Sequence, residues 1–240
     1  MPNRNLFESH AGLNPVVILQ PHQSGATSLP AVPVMPETLL LLELVAQEPS
    51  VDLAEMSQLV LDDLGATLQI LRLAGREYGH THGRPRRIED CISLLGVNAC
   101  LQAVSEETAA RHRRHKAVAE TWAHARETAQ YSKQIADDLP GVNPNEAYLV
   151  GLLHSIGSLP GVLGWDAGGK SAAEAALNGF QIAKNWSLPR PVLEFFSETQ
   201  TAECKTGWSE VVRSAHLRAT RSSVKCPFEL EFRPMLIGSV

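Results

Sequence analysis

The sequence lacks the long apolar runs and leader segments that mark membrane and exported proteins. Its 240 residues contain no stretch near the roughly 20 apolar residues that a bilayer span needs. The N-terminus has no basic region followed by an apolar one, so no signal peptide is predicted. We therefore expect a cytoplasmic protein without a membrane partner.

Positive charge and paired cysteines are also scarce. The formal net charge is −5, which argues against nucleic acid as a partner because phosphate binding requires a surplus of Lys and Arg. The cysteines form no C-x-x-C pair, and their spacing fits neither a zinc site nor a disulfide framework. We expect reduced, mostly buried thiols at all four positions: Cys91, Cys100, Cys204 and Cys226.

Alternating apolar and polar runs, which would indicate a sheet, are absent as well. Apolar residues instead recur at helical spacing, and proline, glycine and capping residues divide them into segments. The sequence therefore predicts an all-α fold. Helices are expected at 36–49, from Asp52 onward, at 64–75, at 88–105 with a break at Gly96, and at 115–139, 144–159, 172–186, 190–199 and 209–221.

The distribution of these helices predicts two helical parts between two irregular ends. Residues 1–28 are expected to form an arm, 29–110 an N-terminal helical subdomain, 111–224 a second helical subdomain, and 225–240 a tail. We expect the two subdomains to pack through the leucine-rich stretches 39–45 and 68–73.

The stretch GLLHSIGSLP, residues 151–160, sets His154 beside Ser155 in a segment that is apolar nearly all round. His154 is therefore expected to be buried, and Gly151 and Gly157 would allow neighbouring helices to approach closely. In one interpretation both polar residues are core residues whose hydrogen bonds are made within the protein. His154 would then donate to a carbonyl, and Ser155 would bond back within its own helix.

In another interpretation His154 meets two further histidines, His124 and His216, in a zinc triad with an open position. Against this, the sequence offers no neighbouring acid arranged as a general base. Ser155 as a nucleophile has little support, because the G-x-S-x-G elbow is missing.

Six separated blocks occur in a recognisable order between Leu29 and Arg221. They read LPAVPVMPETLLLLELVAQEPSVDLAEMSQLVLDD, ATLQILRLAGREYG, RRIEDCISLLGVNACLQAV, TWAHARETAQYSKQIA, AYLVGLLHSIGSL and IAKNWSLPRPVLEFF. In these blocks the chain resembles the HDOD family, the bacterial HD-related output domains that are relatives of HD-domain metal-dependent phosphohydrolases. The resemblance implies an HD-domain-like helical bundle, degenerate over 111–224, with an N-terminal helical subdomain.

The resemblance also indicates which residues correspond to the metal ligands of catalytic HD proteins. Catalytic HD proteins hold metal with a histidine, an adjacent His-Asp pair and a later aspartate, which the resemblance places at His124, His154–Ser155 and His216. Ser155 lacks the charge and basicity of a carboxylate, and His216 stands in place of the last aspartate. These four positions are therefore expected to be vestigial, with no catalytic residue, no cofactor and no stoichiometric metal. Any metal found should be partly occupied zinc or nickel.

Two basic stretches, 80–87 and 111–116, are solvated charge in one interpretation and an anion or acidic-partner surface in the other. The candidate residues are Arg84, Arg86, Arg87, Arg111, Arg113, Arg114 and Lys116.

Taken with the resemblance, these residues predict a non-catalytic regulatory module of bacterial signal transduction. It is expected to bind a signalling protein or a small ligand. One alternative is a divalent-metal phosphohydrolase acting on a phosphoester or nucleotide, and another is a nucleotide sensor that uses the arginines.

Overall fold

The structure is a computed structural model that describes residues 32–78, 87–105, 114–165, 172–201 and 207–221. The regular elements of these ranges are all helices, which confirms the all-α prediction. No described helix combines the length and apolar composition that a membrane span requires. The α-helices are α1 (Pro36–Ala46), α2 (Leu53–Leu61), α3 (Leu64–Tyr78), α4 (Ile88–Leu95), α5 (Val97–Ser105), α6 (His115–Asp137), α7 (Pro144–Leu153), α8 (Leu159–Leu163), α9 (Ala172–Asn185), α10 (Arg190–Thr201) and α11 (Trp208–Arg221); a 3₁₀ turn (Ile156–Ser158) separates α7 from α8.

Several helices begin and end where the sequence chemistry places the boundary. The Asp52 carboxylate accepts a hydrogen bond from the backbone N–H of Ala54 at 2.8 Å and so caps α2. Asn143 caps α7 in the same way through the N–H of Asn145, at 2.9 Å. Gly96, with φ of 81°, separates α4 from α5 in a conformation that a side chain disfavours.

The N-terminal helices pack on one another, and α3 joins them to the long helix α6. The apolar face of α3 is buried through Leu68, Ile70 and Leu71, and the expectation that this stretch joins two subdomains stays a prediction. The corresponding prediction for α1 is wrong in part, because α1 packs on α2 and α5 and buries only Leu42 and Val45. A helix on the outside of a bundle buries one stripe. The side chains of Leu40, Leu41 and Leu44 are exposed, and Leu39 is half-buried.

The second group of helices is arranged around α6, which packs on both α7 and α11. Gly151 permits the close contact between α6 and α7, as the sequence predicts. A Cβ atom at Gly151 would lie 2.9 Å from the Cα of Ala129 and would also collide with the Ser132 hydroxyl. The side chains of α6 that face this contact are small for the same reason.

Two predicted helix ends are wrong. α3 does not stop at Gly75 but continues to Tyr78. Gly75 lies inside the helix, at a point where the backbone of Trp186 comes too close for a side chain. α7 ends at Leu153 rather than continuing to residue 159, and the chain then turns at His154 and Ser155 into the 3₁₀ segment. The His-Ser pair therefore lies at a helix end and not in a helix interior.

Candidate functional site

Three histidines from three different helices meet in the interior. His124 lies in the middle of α6, His154 follows the last residue of α7, and His216 lies in α11. All three side chains are buried, with exposed fractions of 1%, 2% and 5%. The close packing of α6 with α7 and α11 brings them together. This convergence was one of the open interpretations of the sequence.

The ring nitrogens face one another at hydrogen-bond distance. The Nδ1 atom of His216 lies 3.0 Å from Nε2 of His124 and 3.2 Å from Nε2 of His154. One nitrogen from each ring falls within 4.8 Å of the others. The ring centroids are separated by 4.8 to 5.5 Å and the rings are tilted or edge-on rather than stacked. Such an arrangement brings ring nitrogens of the three histidines together without stacking the rings.

The tautomer of His154 is set by its backbone partner. Nδ1 of His154 lies 2.7 Å from the carbonyl oxygen of Gly151, which can only accept, so Nδ1 carries the proton and donates. In the neutral ring Nε2 is then a bare acceptor that faces His216. The expected donation from His154 to a carbonyl is confirmed, and it leaves Nε2 for the cluster.

Burial keeps the cluster neutral at pH 7. Burial first, and His216 second, lower the pKa of His124 from 6.5 to about 4. Burial, followed by His216 and His124, lowers the pKa of His154 well below 6.5, against a smaller opposing effect of the Gly151 carbonyl. Burial also lowers the pKa of His216. The three imidazoles therefore present lone pairs, the form in which histidine binds metals.

Ser155 does not bond back within its own helix, as one interpretation of the sequence predicts. It lies outside α7, and its buried hydroxyl has no hydrogen-bond partner. The bond in this turn instead runs from the Ser158 hydroxyl to the Ser155 carbonyl, at 2.6 Å. The expectation of bonding back within a helix is wrong because the helix has already ended.

One neighbour of the cluster was missed from the sequence. Thr128 is fully buried and its Oγ1 lies 3.5 Å from Nε2 of His124. The signal was available, because residues four apart on α6 share a helix face. Among the described residues the cluster contains imidazoles only, with no carboxylate. The cluster is therefore suited to binding a cation, and within the described part of the chain it includes no carboxylate that could serve as a general base.

The candidate basic residues are only partly within the described residues. Arg87 forms an ion pair with Glu89, and Arg114 donates from Nη1 to the Gly161 carbonyl at 2.6 Å, while Lys116 is exposed. Arg87 and Arg114 thus make contacts within the protein. The remaining candidates lie outside the described residues: Arg84, Arg86, Arg111 and Arg113. Of the cysteines, Cys91 and Cys100 are free and buried as expected, and Cys204 and Cys226 also lie outside.

A comparison with protein families identifies one match. The model of the HDOD domain matches residues 32–163, more than half of the chain. The matched segment includes His124, His154 and Ser155, while His216 lies beyond it. No curated protein matches the chain.

Solved structures of similar fold include the MmoQ response regulator from Methylococcus capsulatus str. Bath. It is 20% identical, with a TM-score of 0.67 over 82% of this chain and 90% of that one. A fragment of the same regulator, also 20% identical, gives a TM-score of 0.62 over 79% and 84% of the two chains. An HDOD domain protein of unknown function from Geobacter sulfurreducens is 21% identical over 80% of this chain and 74% of that one. Its TM-score of 0.36 is too low to support an argument.

Proposed function

Because the chain belongs to the HDOD domain family, we propose that it is a non-catalytic regulatory module of bacterial signal transduction. In this proposal it acts by binding a partner protein or a small ligand. The supporting observation is the chemistry of the buried cluster, which consists of three imidazoles without a carboxylate among the described residues.

The missing carboxylate bears directly on hydrolysis. Metal-dependent phosphoester hydrolysis needs an ion that acidifies water, and carboxylates hold magnesium or manganese ions for that purpose. Ser155 follows His154 where the related hydrolases carry an aspartate, and a neutral hydroxyl supplies neither charge nor basicity. In this proposal His124, His154, Ser155 and His216 are the degenerate counterparts of a hydrolytic site.

The signalling role is supported by fold similarity. The M. capsulatus protein of similar fold is named a response regulator. Because fold does not determine function, this likeness supports a signalling role without identifying the partner.

The partner surface is proposed at the basic stretch 111–116, and an acidic protein surface is the occupant that its charge favours. Lys116 is exposed at the start of α6 and is available for such a contact. Arg114 is less suitable as a probe, because its bond to the Gly161 carbonyl gives it a structural role.

Phosphoesterase assays test the absence of catalysis. Purified protein, supplied in turn with magnesium, manganese, iron and zinc, should hydrolyse neither phosphomonoesters nor phosphodiesters above the rate of a His154→Ala control. Turnover by the wild-type protein that disappears in His154→Ala would overturn the non-catalytic assignment and favour the phosphohydrolase alternative.

Binding is tested by charge reversal on the proposed surface. The wild-type chain should retain partner proteins from the native cell extract. The double variant Arg113→Glu with Lys116→Glu should retain less of them, and the exposed control Lys133→Glu should retain them as the wild type does. Lys116 and Lys133 are exposed, and exposed charge changes usually alter stability by within about 0.5 kcal/mol, so substitutions at these two positions should leave the fold intact. Equal retention by the double variant and the wild type would exclude this surface.

A further inference from the structure

We propose that His124, His154 and His216 bind one zinc ion, coordinated through Nε2 of His124, Nε2 of His154 and Nδ1 of His216. This goes beyond the regulatory function proposed above and does not depend on it. The sequence alone predicts no stoichiometric metal. The convergence of the three rings in the structure leads to a different proposal.

A count of the protons on the three imidazoles favours a cation in the cluster. Nε2 of His154 is an acceptor, because Nδ1 of that ring donates to the Gly151 carbonyl. One proton placed between His216 and either neighbour leaves the other facing nitrogen without a donor from the imidazoles, although both lie within 3.2 Å of Nδ1 of His216. A divalent ion would satisfy all three lone pairs at once.

The distances suit an ion of the size of zinc. Zinc–nitrogen bonds of about 2.0–2.1 Å at a tetrahedral angle separate neighbouring ligand nitrogens by about 3.3 Å. The separations of 3.0 and 3.2 Å from Nδ1 of His216 need small outward shifts of the rings. The nitrogens of the three rings lie within 4.8 Å of one another, and the Nε2 atoms of His124 and His154 would move towards each other on binding. The fourth position is left for water or another small ligand, and the Thr128 hydroxyl lies beside Nε2 of His124.

The donor set selects the metal. Magnesium, calcium and manganese prefer oxygen ligands, whereas imidazole suits zinc and its neighbours in the transition series. Zinc also has no d-electron preference for a square or octahedral site, so it accepts three ligands grouped on one side.

The surroundings of His154 match those of a metal ligand. A ligating histidine usually donates its second N–H to a carbonyl or carboxylate, which fixes the ring and its tautomer. Nδ1 of His154 makes this bond to Gly151 at 2.7 Å. The ion would join α6, α7 and α11, so its role would be to hold the last described helix against the other two.

Metal content is the first measurement. Chelator-treated full-length protein is incubated with zinc, or refolded in its presence because the site is buried, and is then freed of excess metal. Elemental analysis should find one zinc per chain, and thermal unfolding should move to higher temperature. Less than stoichiometric zinc after refolding, or preferential binding of magnesium or manganese, would overturn the proposal.

Variants then locate the ion. Each of His124→Ala, His154→Ala and His216→Ala should raise the zinc dissociation constant at least about 100-fold, the upper end of what loss of an outer hydrogen bond alone causes. His115→Ala removes an exposed histidine from the same helix α6 and should leave zinc binding unchanged. Retention of wild-type affinity by any of the three would overturn the assignment.

Cobalt substitution covers the case in which a variant does not fold. Wild-type protein loaded with cobalt should show the intense visible absorption of a tetrahedral centre. The weak spectrum of an octahedral ion would contradict the three-histidine geometry. Because hydrolysis and partner binding are not read out in these measurements, their failure would leave the proposed function standing.

Discussion

The carboxylate of Asp63 accepts a hydrogen bond from the indole Nε1 of Trp122 at 3.2 Å, and this contact joins the start of α3 to the middle of α6. The same carboxylate accepts from the backbone N–H of Met35 at 2.8 Å and of Ala66 at 3.0 Å. Trp122 lies two residues before His124. The bond therefore links the N-terminal helices to the helix that carries the first histidine of the cluster.

Removal of the Asp63 side chain should destabilise the protein. Asp63→Ala leaves the N–H groups of Met35, Ala66 and Trp122 without their acceptor in a site that is 1% exposed. Lost caps cost about 1 kcal/mol and unsatisfied buried donors about 1–3 kcal/mol each, so a loss of at least about 2 kcal/mol is expected in urea unfolding. The exposed Asp138→Ala should change stability by under about 0.5 kcal/mol. Equal effects of the two substitutions would contradict this role.

Local patterns in the sequence predicted most helices because the signals that end helices are local. Asp52, Asn143 and Gly96 act through their own backbone neighbourhood, and all three lie where the capping and turn rules place them. Gly75 shows where such rules fail. A glycine at this position is typical of a helix end. Gly75 is instead required because the backbone of Trp186, more than a hundred residues away, approaches the helix.

The candidate site was predictable in its members but not in its geometry. The apolar segment around residue 154 identified His154, and the family resemblance placed His124 and His216 with it. Their spacing depends on how α7 and α11 pack on α6. The turn at Ser155 was missed, since the run around it is apolar enough to continue a helix. Periodicity cannot distinguish a helix from a turn that is buried on all sides.

Gly151→Ala should destabilise the contact between α6 and α7. Helix propensity alone would make this change favourable by about 1 kcal/mol, but the new methyl group collides with Ser132 and comes within 2.9 Å of the Ala129 Cα. Overpacking of this kind costs about 1–3 kcal/mol, so unfolding measurements should show a net loss. Ser132→Ala is the companion variant. It removes a buried hydroxyl that has no partner and should leave stability unchanged or raised. A gain in stability from Gly151→Ala would contradict the close contact.

Glu198 should stabilise the start of α11, the helix that carries His216. Its buried carboxylate on α10 accepts from the Ser209 hydroxyl at 2.9 Å and from the Ser209 N–H at 3.4 Å. Glu198→Ala is expected to cost about 2 kcal/mol, since hydrogen bonds to charged groups contribute about 1.5–3 kcal/mol. Glu194→Ala on the same helix removes an ion pair with the exposed Arg190 and should cost under about 1 kcal/mol. Calorimetric unfolding that ranks the two variants in the opposite order would refute this assignment.

The zinc-free protein should lose stability as the pH falls from 6.5 towards 4. The pKa of His124 is lowered from 6.5 to about 4 in the folded protein. Between these values the unfolded chain binds more protons than the folded one, so acid favours unfolding; above pH 6.5 this contribution to stability is fully present. A shift of this size corresponds to about 3 kcal/mol for His124 alone. The measurement is urea unfolding of chelator-treated protein across this pH range.

Asp63 works in the opposite direction, because burial raises the pKa of its carboxyl above 3.8 and its protonation favours the folded state as the pH falls. A variant is therefore needed to isolate the histidine contribution. His124→Gln should make the stability profile less steep between pH 6.5 and 4, since glutamine does not titrate; His154 and His216, whose pKa values are also lowered, keep part of the slope. His115→Gln, at an exposed position of the same helix, should keep the wild-type profile. If the His124→Gln profile is as steep as that of the wild type, the loss of stability in acid does not come from His124.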